Sequence, residues 1–478
     1  MNKPRLIGRK YEASLLSDAL LSEESELVVV YGRRRVGKTF LVNEFFNNSF
    51  DFKYTGIFQQ STSMQLERFA VSLSDQFGTS LRTPATWYEA FDQLKARLKE
   101  ASHEGKKVIF IDEMPWMDTE KSNFVSALES FWNGWAAAEG NILLIACGSA
   151  TSWITDTLLG DQGGLFNRAA LRIYIKPFSL AETEEYLISK GIGWSRYDIA
   201  ECYMIMGGIP FYLKQLNPRW SYTQNIDNIF FREKGLLWDE FDHLYRTLFK
   251  QPDNYITIVE ALARKRMGLT RKEIIEATHL PDNGKLGKML RNLESNEFIR
   301  PYNYFGNKKQ DTIYQLSDFY TMFYFTYIKE FYGKDSHFWT NSLDNPSRQA
   351  WAGYTFEQLC KSHIEQIRSS IGIGAVLCNI SSWFCKGDRV AGKKGAQIDL
   401  LIDRRDRVIS VCEMKYSINE FTIDADYEAS LRNKMEVFRQ ETKTKKSLQL
   451  VMITTYGVKQ GKYSNRVQGQ VVLDDLFC

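Results

Sequence analysis

Leu27-Val28-Val29-Val30-Tyr31 runs without a break into Gly32-Arg33-Arg34-Arg35-Val36-Gly37-Lys38-Thr39, and no other junction in the chain limits the fold so strongly. A short continuous apolar run bounded by glycine reads as a strand buried on both faces. The segment Phe40 to Phe46 that follows reads as helix. Strand, glycine-rich turn and helix N-terminus in that order form a phosphate cradle. Gly32 and Gly37 let the N–H groups of Arg33, Arg34, Arg35 and Val36 turn inward, Lys38 supplies a mobile positive charge, and the Thr39 hydroxyl is a ligand for Mg²⁺.

A second apolar strand, Lys107-Val108-Ile109-Phe110-Ile111, ends in Asp112-Glu113. Alone this is an ordinary strand end. Beside the loop, Asp112 is placed to complete the Mg²⁺ shell and Glu113 to polarise a water, the division of labour that ATP hydrolysis needs. A third strand, 141–149, ends in Ser149, which either senses the γ-phosphate or serves as a turn residue.

With these motifs, residues 5–215 resemble the AAA+ and STAND-related ATPases, in the archaeal and bacterial branch where a GRRRVGKT loop is followed by a C-terminal nuclease-like domain. The resemblance implies a P-loop ASCE/AAA+ core with a helical lid and with ATP and Mg²⁺ as cofactors. It places Leu6-Ile7-Gly8-Arg9-Lys10 near adenine, and Pro210 of Gly207-Gly208-Ile209-Pro210-Phe211-Tyr212-Leu213 beside the base from the lid. Arg168 matches an arginine-finger position or is an exposed arginine before the strand at 171–175; no second-sensor arginine is assignable.

Near the other end, apolar alternation over 398–402 and 408–414 predicts two antiparallel strands joined by the charged turn 403–407. Asp399 and Glu413 then converge as hard oxygen ligands for Mg²⁺, with Lys415 on the same strand face as Glu413. Read blandly, these are exposed strand-end charges. The segment resembles the PD-(D/E)xK nuclease superfamily over roughly 350–456, which implies an α/β restriction-endonuclease-like fold, phosphodiester hydrolysis, and Glu357 on the preceding helix as a further acid. The turn Gly392-Lys393-Lys394-Gly395 precedes the first acid, and the amphipathic stretch Leu431 to Phe438 is suited to packing behind the sheet.

Between these ends, 254–280 reads as two helices and 282–293 as a third, apolar at Leu286, Met289, Leu290 and Leu293 and basic at Lys285, Lys288 and Arg291. The strands 298–302 and 312–316, linked through Gly306-Asn307-Lys308-Lys309, complete a resemblance to a winged helix-turn-helix. From Arg264 to Lys309 there are 11 Lys/Arg and 5 Asp/Glu, an excess of 11 − 5 = 6 in a chain whose total is only +3. Such an excess suits DNA phosphates; the competing use of the module is as a spacer packed on its neighbours.

At 478 residues, 44% hydrophobic and 25% charged, the chain is long enough for several cores, and the fold class expected is multi-domain α/β. The divisions expected are the ATPase core 1–177, lid 178–251, winged helix 252–316, helical connector 317–349 and nuclease-like domain 350–478. The segment 341–347 is the best hinge, and the aromatic run 320–328 an interdomain helix covering the winged module. Seven cysteines without a CxxC pair and five unclustered histidines argue against structural zinc and disulfides, which fits the cytoplasm; no apolar run reaches membrane-spanning length. The partners expected are DNA and further copies of the chain, not a membrane. Three functions remain open: an ATP-regulated nuclease, a signalling switch whose C-terminal domain only binds nucleic acid or a partner, and a defence or toxin-type nuclease awaiting a trigger.

Overall fold

A computed structural model describes residues 6–101, 105–160, 165, 171–306, 312–387 and 395–478. They form two compact units, Met1–Pro177 and Phe178–Cys478.

The first unit is built on the strands β1 (Glu26–Tyr31), β2 (Phe52–Thr55), β3 (Lys107–Asp112), β4 (Ile142–Gly148) and β5 (Leu171–Tyr174). All pair in parallel, in the order β2-β3-β4-β1-β5. A parallel sheet needs both faces covered. The helices Thr62–Phe77, Trp87–Glu100 and Phe124–Gly134 contribute Phe69, Trp87, Phe91 and Phe124 to one core, where ring centroids lie 5.0 to 6.1 Å apart. Ser61 and Thr86 cap the first two of these helices, each cap contributing about 1 kcal/mol. Because β4 intervenes between β1 and β3, the strand leading to Ser149 runs between the loop's strand and the acid-bearing strand. The helix after the loop starts at Lys38, earlier than the Phe40 expected, because Gly37 at φ 93° takes the cap position and turns the chain directly into the helix.

In the second unit, the helix Arg196–Met206 is buried from Ile199 onward. The helices Pro252–Arg264, Arg271–Thr278 and Gly284–Ser295 pack with a small antiparallel sheet of β6 (Leu269–Thr270), β7 (Ile299–Tyr302) and β8 (Ile313–Leu316), in the order β6-β8-β7. Thr270 and Glu273 form a capping box that fixes the second helix's start, and Asn283 caps the third. Leu286, Leu290 and Leu293 are buried, Met289 is half-buried, and Lys285, Lys288 and Arg291 are exposed. Of the linking turn, residues 307–309 lie outside the described residues.

The aromatic run forms the helix Phe319–Phe323 and a π turn, Tyr324–Ile328, that buries Tyr320, Phe323 and Tyr327 among Tyr212, Phe230 and Trp339. The expected hinge is fixed in place. Ser342 is buried, Asn345 caps the helix Pro346–Ser362, and Arg348 donates to the Trp339 carbonyl at 2.6 Å while pairing with Glu201 at 3.1 Å. Pro and Asn signal a turn, and nothing in that signal separates a mobile turn from one anchored by a buried ion pair.

The last sheet comprises β9 (Cys378–Cys385), β10 (Ala396–Arg404), β11 (Val408–Lys415), β12 (Ser447–Thr454) and β13 (Gly469–Val472), in the order β13-β12-β11-β10-β9. The first three are antiparallel and the last two parallel to β11. The helix Ala425–Thr442 returns across it, burying Val437 and Phe438 with Ile398, Leu401 and Val411, and Leu431 with Met452. Gly392, Lys393 and Lys394 lie outside the described residues. Among the described residues no helix is long and apolar enough to cross a membrane.

Candidate functional site

The phosphate-loop geometry starts at Gly32. Its φ is 146°, and a Cβ there would lie 2.3 Å from the Ile175 carbonyl oxygen, so the loop turns only where there is no side chain. Arg35 takes a left-handed φ of 73° within the same turn. Lys38 is buried and donates from Nζ to the carbonyls of Gly32 (3.0 Å) and Arg33 (2.9 Å). Arg9 supports the loop from outside, donating to the Val36 carbonyl at 3.2 Å and to the Lys176 carbonyl at 2.6 Å. The sequence reading placed Arg9 near adenine and missed this buttress, for which a lone arginine carries no spacing signal.

The acids of β3 close the other side. Thr39 Oγ1 donates to Asp112 Oδ2 at 2.7 Å, and Asp112 Oδ1 accepts the Glu113 N–H at 2.9 Å. Glu113 is itself in a left-handed conformation, φ 48° and ψ 46°, which turns its side chain off the strand direction. Its Oε2 accepts from Ser149 Oγ (2.8 Å) and Ser149 N–H (3.2 Å). Burial raises the Glu113 carboxyl, against the opposing Lys38 charge and the Ser149 hydrogen bonds. Burial likewise lowers the Lys38 ammonium, against the attraction of Cys147, Glu113 and Asp112. Lys38, Thr39, Asp112, Glu113 and Ser149 therefore form one connected constellation. The bare glycine cradle and the Thr39–Asp112 oxygens fit a triphosphate and Mg²⁺.

Residues 6–216 match a family described as an ATPase domain predominantly from Archaea. They carry a P-loop ATPase domain. The match continues past Pro177 through the helices Leu180–Ser189, Arg196–Met206 and Pro210–Leu213 of the second unit. An uncharacterized protein of Methanocaldococcus jannaschii is 25% identical over 390 residues, covering 80% of this chain and 83% of that protein. Among solved structures, a Walker-type ATPase of Pyrococcus abyssi aligns at 17% identity and TM-score 0.47 over 68% of this chain and 99% of that one. The ORC2 protein of Aeropyrum pernix, in ADPNP–ADP complexes, aligns at 13% and TM-score 0.42 over 68% and 94%.

Pro210 is the first residue of the four-residue helix Pro210–Leu213 in the second unit. Arg168 lies outside the described residues.

The second constellation is in the last sheet. Leu400 pairs with Cys412, and Asp399 and Glu413 are the next residues of β10 and β11. Glu413 is buried and fully engaged: Tyr427 donates to its Oε1 at 2.8 Å, Lys434 to its Oε2 at 2.7 Å, and Lys415 Nζ lies 3.4 Å from Oε1. Burial pushes this carboxyl up, but the charges of Lys434 and Lys415 and the hydrogen bonds from Lys434 and Tyr427 outweigh it, and the net direction is down. Gln397 Nε2 donates to Asp399 Oδ1 at 2.6 Å. Glu357, on the helix Pro346–Ser362, is pushed up to about 7 by burial and by the neighbouring Asp399 charge.

Sequence reasoning missed Tyr427 and Lys434. They stand seven positions apart on the helix Ala425–Thr442, two turns on one face, which is the signal that would have found them. Among the described residues no three His, Cys, Asp or Glu side chains are grouped to hold a metal ion. Each Glu413 oxygen already takes a protein donor but keeps a second lone pair, so a cation at the Asp399–Glu413 pair would compete with the Lys434 and Lys415 ammonium groups.

Proposed function

We propose that this chain hydrolyses ATP and acts on DNA, with nucleotide state regulating a nuclease-like domain. Within the second unit we take 178–251 as the lid, 252–316 as a winged helix, 317–349 as a connector and 350–478 as the PD-(D/E)xK domain. The observation that supports the reading best is the Thr39–Asp112–Glu113–Ser149 chain of hydrogen bonds next to Lys38 anchored in the loop, because each position needed to hold and hydrolyse a triphosphate is filled by a suitable group. Lys38 and the loop N–H groups bind the phosphates, Thr39 and Asp112 hold Mg²⁺, and Glu113, aligned by Ser149, takes the proton from water. When bound, Mg²⁺ neutralises charge on the phosphate oxygens. Arg168 is retained as a candidate finger and Pro210 as a candidate contact to the base.

At the other site Asp399, Glu413, Lys415 and Glu357 are the proposed acids and lysine of phosphodiester hydrolysis, and Lys285, Lys288 and Arg291 the proposed DNA contacts. A cytoplasmic, self-associating protein fits this reading.

One observation favours a second reading, a signalling switch with a C-terminal domain that binds without cutting: Lys434, Lys415 and Tyr427 already satisfy Glu413. Incubating the protein with linear, circular and single-stranded DNA, with and without Mg²⁺ and ATP, separates the two. Nucleotide-dependent cleavage is expected. A preparation that hydrolyses ATP yet cuts neither DNA nor RNA in Mg²⁺ or Mn²⁺ establishes the switch.

A further inference from the structure

Asp399 of the last sheet and Glu357 of the helix before it open into a half-open cavity of about 300 Å³, lined among others by Arg266, Tyr302, Tyr304 and Lys361. Three of those residues, Arg266, Tyr302 and Tyr304, come from the helix-and-hairpin module and the rest from the nuclease-like domain, so the module forms one wall of the acid site. This wall is built in. Tyr304 makes a β-bridge with Ser382, the Phe305 N–H donates to the Ser382 carbonyl at 2.8 Å, and the Phe305 ring packs 5.2 Å from Phe438 against the core of the last sheet.

Cations stand at both depths of the cavity. Arg266 is exposed at its edge, where it donates to the Ala350 carbonyl at 3.3 Å and lies 5.3 Å over the Tyr354 ring. Lys361 is half-buried further in, 5.9 Å over the Tyr302 ring, and burial lowers its pKa against the pull of Asp399 and Glu357. Among the described residues no carboxylate lies within ion-pair distance of Lys361. Lys361 thus lines the cavity without a direct ion pair, and a partly desolvated ammonium of that kind gains from an anion placed beside it. The cavity volume is at the low end of the ~300–1,000 Å³ that hold small ligands, which suits one nucleotide out of its stack and not a base pair within a helix.

We propose that this cavity takes one unpaired nucleotide of a nucleic-acid strand, its phosphodiester between Arg266 and Lys361 and its base against the tyrosines of the hairpin. The acid site thus selects single strands or unpaired ends and excludes the intact duplex. This rests on the nuclease reading of the same acids, which it makes specific.

Photocrosslinking locates the strand without requiring cleavage. A 12-nucleotide single strand carrying 4-thiothymidine, irradiated on the full chain in EDTA, is expected to mark peptides containing Tyr302 or Tyr304. Unlabelled single strand should compete and a blunt hairpin duplex should not. Lys361→Gln and, on the opposite wall, Arg266→Gln should each lower the yield by about tenfold, the loss of one phosphate or stacking contact, with far-UV circular dichroism unchanged. An oligoribonucleotide of the same sequence reads the sugar; equal marking by it supports an unpaired strand as the shared chemistry. Crosslinks confined to Gly284–Ser295, equal competition by duplex, or undiminished yield in both folded variants overturns the proposal. Marking at the tyrosines without cleavage in any metal keeps the proposal and removes the nuclease reading. Cleavage of duplex as fast as of single strand does the reverse.

Discussion

Asp112 and Glu113 at the end of β3 and Asp399 and Glu413 on β10 and β11 look alike as sequence, paired acids on apolar strands with a lysine nearby, yet the fold treats the second acid of each pair differently. The β3 acids are met by hydroxyls, Thr39 and Ser149, and share the Lys38 charge at a distance. Glu413 is met by two ammonium groups, Lys434 at 2.7 Å and Lys415 at 3.4 Å, as well as by the Tyr427 hydroxyl at 2.8 Å. A carboxylate held by neutral donors keeps its charge for a cation or a proton in transit. One held by lysines has spent that charge on the fold, since buried charge is tolerated only when compensated. The comparison teaches that an acid pair is chemically ready only when its partners are neutral or easily displaced.

The sharpest way to break the comparison is at the loop. Lys38→Ala should abolish nucleotide binding in calorimetry, while Glu113→Gln should bind ATP as wild type does and hydrolyse it slower by about 10²–10⁴-fold, the usual contribution of a general base. Equal affinity in wild type and Lys38→Ala would show that the loop is not the site.

Next comes the other pair. Asp399→Asn and Glu413→Gln should each reduce DNA cleavage by about a hundredfold or more and leave ATP turnover intact, because the constellations stand on separate sheets. Loss of both activities in either variant would mean that the sites are not chemically independent.

Lys434→Met tests the partners themselves. It should cost about 1–3 kcal/mol in denaturant unfolding, the penalty of a buried acceptor stripped of its donor, whereas Ser149→Ala at the loop site should cost about 1 kcal/mol or less. If the two changes cost the same, the contrast between ammonium and hydroxyl partners is not energetic.

The smaller effects concern pH and salt. Glu357 carries a raised pKa, so its contribution to stability is complete below its ordinary 4.5 and lost as pH rises through about 7. Glu357→Gln removes that loss: its melting temperature relative to wild type should climb between about pH 5 and pH 8. A flat difference refutes the assignment. Replacing Lys285, Lys288 and Arg291 with Ala should flatten the log–log salt dependence of duplex binding by up to about 2.7, at about 0.9 per phosphate contact. An unchanged slope makes the module a spacer.

What depends on neighbours along the chain was legible before any fold was known. The run Leu27–Tyr31 followed by Gly32 admits little but strand and turn. The apolar runs at 398–402 and 408–414 mark β10 and β11, although β11 is buried without a break from Ile409 to Met414 and β10 from Leu400 to Ile402, because both faces of the strands are covered and not one; Leu286, Leu290 and Leu293 set the inner face of their helix. Charge on the outer face of that helix was legible for the same reason. Tertiary structure alone decided what meets across the chain. Lys434 reaches Glu413 from 21 positions away, Phe305 ties the hairpin to β9, and Arg348 pairs with Glu201 across 147 positions to fix a turn that reads as a hinge. Periodicity reports which face of an element is apolar; it carries no information on which distant charge arrives there, and that arrival decides whether a carboxylate is held as structure or left for chemistry.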